Sequence, residues 1–135
     1  MKQKSFRFCM LVGAVALLSI AIFYFTTYMV RVSVALDNND LEPFIERSVR
    51  GLWLCFGAQA LLIGLLYLLV AFKPHTVSRE VILLLGLGQL VEVVLLLVVA
   101  DSKLVASLLA VASVFVLCGA LMWPKKLPRP AESPV

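Results

Sequence analysis

The sequence predicts an all-α membrane protein whose fold is a bundle of four transmembrane helices. Two observations carry this prediction: 62% of the 135 residues are hydrophobic and 15% are charged, and the apolar residues gather in four long stretches. A soluble domain is about 45–50% apolar and about 25% charged. The composition therefore excludes a soluble enzyme, a disordered chain and a nucleic-acid-binding domain, and the first expected partner is the lipid bilayer.

Each apolar stretch is long enough to cross a bilayer once. A helix needs about 20 apolar residues to span about 30 Å of hydrocarbon, and backbone groups in lipid must bond to one another, which favours helices over open strands. The expected spans are residues 8–30, 51–72, 81–100 and 104–123. They form one domain over residues 1–123, followed by a proline-rich tail at residues 124–135 that is expected to be disordered and cytoplasmic.

The first stretch begins like a secretory signal peptide, because Lys2, Lys4 and Arg7 precede it. Its apolar run is longer than the ~7–15 residues of a signal peptide, and no A-x-A cleavage site follows it. The stretch is therefore expected to remain in the protein as the first membrane helix.

Residues 31–50 are the one sizeable stretch expected outside the membrane before the C-terminal tail. Asp40 is expected to cap a helix that has Pro43 in its first turn. Glu46 and Arg50 lie four residues apart and can pair on that helix. Residues 37–40 are therefore predicted to form a turn, and the residues from about Leu41 are predicted to extend the second span as an amphipathic helix. The acids of the stretch favour a solvated surface over a cation site.

Helix-ending and helix-starting residues separate the last three spans. Pro74 ends the second span, and Ser78 can cap the third. Asp101 and Ser102 form the turn that can cap the fourth span. That span is expected to end near Trp123, at the membrane interface where tryptophan is favoured.

The basic residues predict which side of the membrane each end occupies. Eight Lys and Arg residues lie in the N-terminal tail, the joint after the second span and the C-terminal tail, whereas four lie on the opposite side. The side richer in Lys and Arg is usually cytoplasmic. Both termini are therefore expected in the cytoplasm, and the chain is expected to be a multi-pass protein of the plasma membrane.

Small side chains form stripes on two of the spans. Gly57, Ala60 and Gly64 share a face of the second span, and Ala106 and Ala110 share a face of the fourth. Small residues allow transmembrane helices to approach one another closely. These five positions are therefore expected to lie where helices pack.

Glu92 is the one acid inside an apolar span, and Gln89 shares its helix face three residues earlier. At about 1.5 Å per residue, Glu92, Gln59 and Ser113 all lie about 12–13 Å from the outer ends of their spans. The sequence therefore predicts a buried polar cluster of Gln59, Gln89, Glu92 and Ser113 in the outer half of the bundle.

The role of Glu92 has two interpretations. An ionisable residue within a membrane is a functional-site hypothesis, because placing its charge there costs about 2.5–3.5 kcal/mol on insertion scales. The alternative is an interhelical hydrogen bond worth about 0.6 kcal/mol. Arg50 approaches from the same side and can either reach Glu92 or extend outward to water, and the outward direction is preferred.

No residue pattern indicates a metal site or a cofactor. The three cysteines include no CxxC pair, the spacing typical of zinc and thiol-redox sites. His75 lies alone beside Pro74, and neither paired carboxylates nor a phosphate-binding loop is present. The chain is therefore expected to hold no cofactor and no metal, and an enzyme is not favoured.

The stretch Arg50-Gly51-Leu52-Trp53 is followed by Gly57 and by Gly64-Leu65-Leu66-Tyr67, a short basic joint and two further apolar spans. This order, over about residues 44–123, resembles the DoxX-like small four-helix membrane proteins. The resemblance implies a four-helix bundle and, in some relatives, a link to quinone or redox partners. The small multidrug exporters also have four helices and one membrane glutamate, but their glutamate lies in the first helix, so their function is not carried over.

Three functions follow as expectations. The favoured one is an accessory or structural membrane component that binds a membrane-protein partner or a second copy of itself. The alternatives are a small oligomeric transporter or channel that uses Glu92 as its buried acid, and a membrane partner of quinone or redox chemistry. Full activity of a Glu92→Gln variant in cells would exclude the transporter, whereas a stable co-purified partner would favour the accessory role.

Overall fold

The computed structural model describes residues 2–39, 41–98 and 103–123. These residues form four helices, each long and apolar enough to cross a membrane. α1 comprises an α-helix at Lys2–Thr27, a π-helical turn at Tyr28–Val32 and a final α-helical turn at Ser33–Asp37; α2 is Pro43–Phe72, α3 is Arg79–Val98 and α4 is Lys103–Leu121. The predicted all-α four-helix bundle is confirmed, and the chain is a multi-pass membrane protein.

α1 continues to Asp37, beyond the end predicted from its apolar run. Arg31 ends that run, but arginine is a good helix former and a single exposed one does not interrupt the helix. Asn39 Nδ2 donates to the Ala35 carbonyl at 2.6 Å, which satisfies one of the acceptors left unpaired at the helix end. α1 therefore continues into the stretch predicted to lie outside the membrane, and the connection between α1 and α2 comprises residues 38–42.

α2 begins at Pro43, whose fixed φ suits the first turn of a helix. Glu42 occupies the cap position without a side-chain hydrogen bond, and the predicted cap, Asp40, lies outside the described residues. The predicted pair of Glu46 and Arg50 is confirmed, with 2.8 Å between Glu46 Oε1 and Arg50 Nη2.

The end of the bundle that holds the α1–α2 connection is called the outer end below. Here Arg50 also binds Asp37, at the last turn of α1. One guanidinium therefore joins the outer ends of α1 and α2. The outward direction predicted for Arg50 is confirmed, because its side chain binds these acids and does not reach Glu92.

The start of α3 is capped as predicted, since Ser78 Oγ accepts a hydrogen bond from the Val81 backbone at 3.4 Å. The next residue, Arg79, donates from Nε to the Ala120 carbonyl at 2.9 Å. Ala120 lies in the last turn of α4, where carbonyls have no partner within the helix. The first turn of α3 is thereby attached to the last turn of α4.

α4 ends at Leu121, earlier than the predicted end at Trp123. The Trp123 ring packs edge-on against the Phe6 ring of α1, with 5.2 Å between ring centroids. Two predictions concern residues outside the described part of the chain, which are 99–102 and 124–135. They are the turn at Asp101 and Ser102 and the disordered C-terminal tail.

The four helices do not pack equally. α1 packs against α2 and α4, and α4 packs against α1 and α3. α2 and α3 are consecutive in the chain, but their described residues do not pack closely against each other. The helices therefore follow the order α2–α1–α4–α3, with a gap between α2 and α3.

The small residues of α2 lie at its contact with α1. A Cβ atom on Gly57 would lie 3.3 Å from the Cβ atom of Tyr24, and one on Gly64 would lie 3.2 Å from Leu18 Cδ2. Ala60, between these glycines, is buried. The small side chains thus allow α2 to approach α1.

The buried face of α4 differs in one position from the predicted stripe. Ala106 is buried, whereas Ala110 is only partly buried and Ala112 is fully buried. Ala110 follows the buried Leu109 by one residue, which rotates it by about 100° around the helix. Ala112 therefore occupies the packing position at this level of α4.

Candidate functional site

A cavity of about 390 Å³ lies at the gap between α2 and α3. Its volume falls within the range of about 300–1,000 Å³ typical of small-molecule sites. All four helices contribute to its lining, which consists of Leu17, Ile20, Tyr24, Phe56, Gln59, Ala60, Ile63, Gln89, Glu92, Leu95, Leu96, Val105 and Leu109. Most of these side chains are apolar, and the residues with polar groups are Tyr24, Gln59, Gln89 and Glu92.

Gln59 and Glu92 are joined across the gap. The Gln59 amide donates from Nε2 to Glu92 Oε1 at 2.8 Å. Gln59 is exposed and Glu92 is partly buried, and both line the cavity. The cavity therefore opens at the side of the bundle, between α2 and α3, and this hydrogen bond crosses the opening.

Gln89 lies deeper than Glu92, one turn earlier on α3. Its side chain is 2% exposed, and among the described residues neither its Nε2 nor its Oε1 atom has a hydrogen-bond partner of ordinary geometry. The buried Tyr67 hydroxyl lies close to Gln89 without forming a hydrogen bond of ordinary geometry. Both amide atoms are themselves buried, so they lie within the helix packing beside Tyr67 and do not open onto the cavity.

Ser113 is not brought into this polar group. It is fully buried, but its hydroxyl donates to the Leu109 carbonyl of its own helix at 2.8 Å. It does not line the cavity. Counting residues from the end of the span predicts how deep Ser113 lies in the bundle, but the rotation of α4 about its axis decides where the side chain points. A serine hydroxyl within a helix readily donates to the carbonyl four residues earlier.

Aromatic side chains surround the outer part of the cavity. The Trp53 indole donates from Nε1 to the Tyr24 carbonyl at 3.0 Å, and the two rings meet with 5.2 Å between centroids. Phe56 stacks on Tyr24 at 6.2 Å. Tyr24 was not predicted as a site residue. The feature of the sequence that could have indicated it is an aromatic residue with a hydroxyl group inside an apolar span.

The charge of the cavity lining comes from one residue. Glu92 is the single acid among the lining residues, and no Lys, Arg or His accompanies it there. The described part of the chain holds no group of three or more His, Cys, Asp and Glu residues that could bind a metal ion. The arrangement can therefore hold an apolar molecule and offer its polar end the Glu92 carboxyl group.

The resemblance to DoxX-like proteins rests on the order of arginine and glycine residues in α2. In the structure Arg50 binds acids at the outer end, Gly57 and Gly64 contact α1, and Tyr67 is buried beside Gln89. These roles are compatible with many four-helix bundles, so the resemblance stays a prediction. No family model, no curated protein and no solved structure matches this chain.

Proposed function

We propose that the protein binds a small membrane-soluble molecule in the cavity between α2 and α3, as a small transporter or carrier does. The observation that carries the proposal is the cavity itself, about 390 Å³ in volume, lined mostly by apolar side chains and by the hydrogen-bonded Gln59 and Glu92. An acid within a membrane span is costly and is a functional-site hypothesis. A carboxyl group at the opening of a cavity of this size is therefore better explained by a ligand than by helix packing.

The opening between α2 and α3 supports access from the lipid. Because these two helices do not pack closely, a ligand can enter sideways without breaking an extensive helix contact. The Gln59–Glu92 hydrogen bond is the polar contact that such a ligand meets first. Glu92 then acts as the buried acid of the transporter, which is the role expected for it in the second of the three functions.

Two adjacent residues of α3 provide a matched test. Leu95 and Val94 are 55% and 58% exposed, but only Leu95 lines the cavity. We expect Leu95→Trp to obstruct the cavity and Val94→Trp to leave it open. The measurement is binding of tritiated diphenylmethane to the full chain in lipid nanodiscs, relative to empty nanodiscs.

The expected result is saturable binding by the wild type and by Val94→Trp, with binding at least about tenfold weaker for Leu95→Trp, since about 1.4 kcal/mol of binding energy corresponds to tenfold. Wild-type protein that binds no more probe than empty nanodiscs, or a Leu95→Trp variant that binds like the wild type, would contradict the proposal.

An accessory role is the second candidate, and the lengths of the helices favour it. At about 1.5 Å per residue, the described parts of α1 and α2 are longer than those of α3 and α4 by about half or more, since the spans contain 35, 30, 20 and 19 residues. The projecting outer ends expose Met29, Val30 and Phe44. These side chains could bind another membrane protein.

The accessory role is tested by purifying the full chain in a mild detergent and measuring the mass of its complexes. A stoichiometric partner that is retained by Phe72→Ser and lost from Phe44→Ser would support this role, because both phenylalanines are exposed but lie at opposite ends of α2. A chain that purifies alone would contradict it. A partner in quinone or redox chemistry stays a prediction.

We also propose that both termini lie in the cytoplasm and that the membrane is the plasma membrane. Successive helices alternate in direction, so Lys4, Arg7, Lys73 and Arg79 all belong to the end opposite the outer end. The side richer in basic residues is usually cytoplasmic. An impermeant maleimide should label Asn39→Cys, but not Ser5→Cys, in intact cells that express a cysteine-free background, and the reverse pattern would contradict this orientation.

A further inference from the structure

We infer that the ligand of the cavity is an organic cation, an ammonium group on a compact apolar body, and that Glu92 binds the ammonium group. This inference rests on the proposed function and names the ligand class of the same site. It follows from the accessible Glu92 carboxyl group, from the charges and aromatic rings of the described lining, and from the size of the cavity.

The first step concerns the access of a ligand to Glu92. Glu92 Oε1 accepts a hydrogen bond from Gln59 at the opening between α2 and α3. Glu92 Oε2 forms no hydrogen bond with the described residues, yet it is not one of their buried polar atoms without a partner. This oxygen therefore has accessible surface, in contrast to the amide atoms of Gln89, and a ligand in the cavity can bind to it.

The second step concerns charge. Among the described residues that line the cavity, Glu92 is the acid, and no Lys, Arg or His lies there. Arg50, the basic residue that precedes the cavity on α2, binds Glu46 and Asp37 at the outer end. A carboxylate without a counter-ion is costly inside a membrane, and like charges in a site of low polarity repel strongly. A cationic ligand therefore supplies the counter-charge, whereas an anionic ligand would add a second negative group.

The third step separates an organic cation from a metal ion. Mg²⁺ and Ca²⁺ take about six or more oxygen ligands. The described part of the chain holds no group of three or more His, Cys, Asp and Glu residues for such an ion. An ammonium group carries about three N–H donors at most, so it needs fewer acceptors. One carboxyl group in an apolar lining therefore suits an ammonium group better than a metal ion.

The fourth step concerns the aromatic rings of the lining. Tyr24 and Phe56 both line the cavity, and their rings stack with 6.2 Å between centroids. Phe56 lies one turn before Gln59 on α2, and Tyr24 lies within electrostatic range of Glu92. The face of an aromatic ring attracts a cation that lies within about 6 Å of its centroid. Rings beside a carboxyl group therefore favour a cation over a neutral ligand of the same size.

The fifth step concerns the body of the ligand. The cavity volume of about 390 Å³ lies near the lower end of the range for small-molecule sites. Much of the wall consists of branched aliphatic side chains such as Leu17, Ile63 and Leu109. A body of one or two rings fits this space and this surface better than a whole phospholipid does. The ligand class is therefore a lipophilic amine, which can reach the opening from the lipid.

A series of compounds with one apolar body and different charges tests the inference. Benzhydrylamine, benzhydrol and diphenylacetic acid share two phenyl rings and carry, at neutral pH, an ammonium, a hydroxyl and a carboxylate group. Each competes with tritiated diphenylmethane for the full chain in phosphatidylcholine nanodiscs, at concentrations expressed for the membrane phase. We expect benzhydrylamine to compete at about tenfold lower concentration than benzhydrol, because hydrogen bonds between charged groups are about twice as strong as neutral ones. Diphenylacetic acid should compete less well than benzhydrol.

Substitutions of two acids on α3 then assign the preference to a residue. Glu92→Gln removes the charge and keeps the size of the side chain, so the tenfold preference for the amine over the alcohol should disappear. Glu80→Gln is the matched control, because Glu80 is exposed, does not line the cavity and lies twelve residues earlier on the helix, about 18 Å away. This variant should keep the preference. Saturable binding of tritiated diphenylmethane reports that the cavity of a variant is formed.

The outcomes separate the inference from the proposed function. If benzhydrol or diphenylacetic acid competes as well as benzhydrylamine, or if Glu92→Gln keeps the preference, the inference is overturned, while saturable binding of diphenylmethane still supports the proposed function. The order of the three compounds on the wild type tests the inference even if Glu92→Gln does not fold. If tritiated diphenylmethane does not bind above empty nanodiscs, the proposed function itself fails.

Discussion

Glu92 and Gln59 form a hydrogen bond between two helices that otherwise do not pack closely. Both residues also line the cavity. Hydrogen bonds between side chains of transmembrane helices contribute about 0.6 kcal/mol on average. A bond of this strength favours one position of the two helices without preventing their separation, which suits residues at an opening.

A double-mutant cycle measures this bond. The coupling energy between Gln59→Leu and Glu92→Leu should be about 0.6 kcal/mol, measured as the free energy of unfolding by steric trapping in bicelles. Gln59→Leu combined with Ser113→Ala is the control, because Ser113 bonds within its own helix and distant sites should be additive. A coupling equal to that of the control pair would show that the hydrogen bond does not form in the bilayer.

Residue positions along the helices could be estimated from the sequence, whereas their directions could not. Counting residues from the outer ends of the spans placed Gln59, Glu92 and Ser113 at one level. The structure joins Gln59 to Glu92 but turns Ser113 to the Leu109 carbonyl. Which side of each helix faces a neighbour depends on how all four helices pack, and apolar residues on every side of a membrane helix give little indication of it.

At the scale of the helices, hydropathy predicted the number of spans and missed the true ends. The first and second spans are longer than their apolar runs, because Arg31 and the polar residues from Pro43 onward continue the helices outside the run. The third and fourth helices match their predicted spans more closely, and Ser78 caps the start of the third. Charge ends a hydrophobic run, but proline and capping residues end a helix.

Gly13 lies at the closest approach that the described glycines make between α1 and α4. A Cβ atom on Gly13 would lie 2.5 Å from Val116 Cγ2, and the β-branched valine has little freedom to move away. We expect Gly13→Ala to lower the free energy of unfolding by about 1–3 kcal/mol, the usual cost of overpacking, measured in the same bicelle assay.

Gly88 is the matched control for this substitution. It lies within α3, and nothing lies within 4 Å of a Cβ atom placed on it. Gly88→Ala should be neutral or stabilising by up to about 1 kcal/mol, because alanine has the higher helix propensity. Equal effects of the two substitutions would contradict the packing of α1 against α4.

At the scale of the whole molecule, the cavity follows from the order of helix packing. In the packing order α2–α1–α4–α3, α1 and α4 are the central helices and α2 and α3 are the outer ones. The gap between α2 and α3 is bridged by the Gln59–Glu92 hydrogen bond and leads into the cavity. No local pattern in the sequence indicates which pair of helices will stay apart, so the cavity was beyond prediction from the sequence.

Linking α2 to α3 should close the opening. With Cys9, Cys55 and Cys118 replaced by alanine, Gln59→Cys and Glu92→Cys can be joined by a short bifunctional thiol reagent, since the native side chains meet at 2.8 Å. We expect uptake of tritiated diphenylmethane to slow at least about tenfold and to recover when a reducible linker is cleaved, the behaviour of a gated site. Unchanged uptake by the linked protein would mean that ligands enter elsewhere.

The packing order also bears on how the chain assembles. Among the described residues, α2 packs closely on α1 and α3 on α4, and the Gln59–Glu92 hydrogen bond joins α2 to α3. The chain therefore consists of two hairpins, and the contact between its first and last helices is what unites them. During synthesis the α1–α2 hairpin can form at once, but α3 must wait in the lipid for α4 before it gains a neighbour. Two separately expressed halves, divided between α2 and α3, should for the same reason be able to find each other in the membrane and rebuild the bundle.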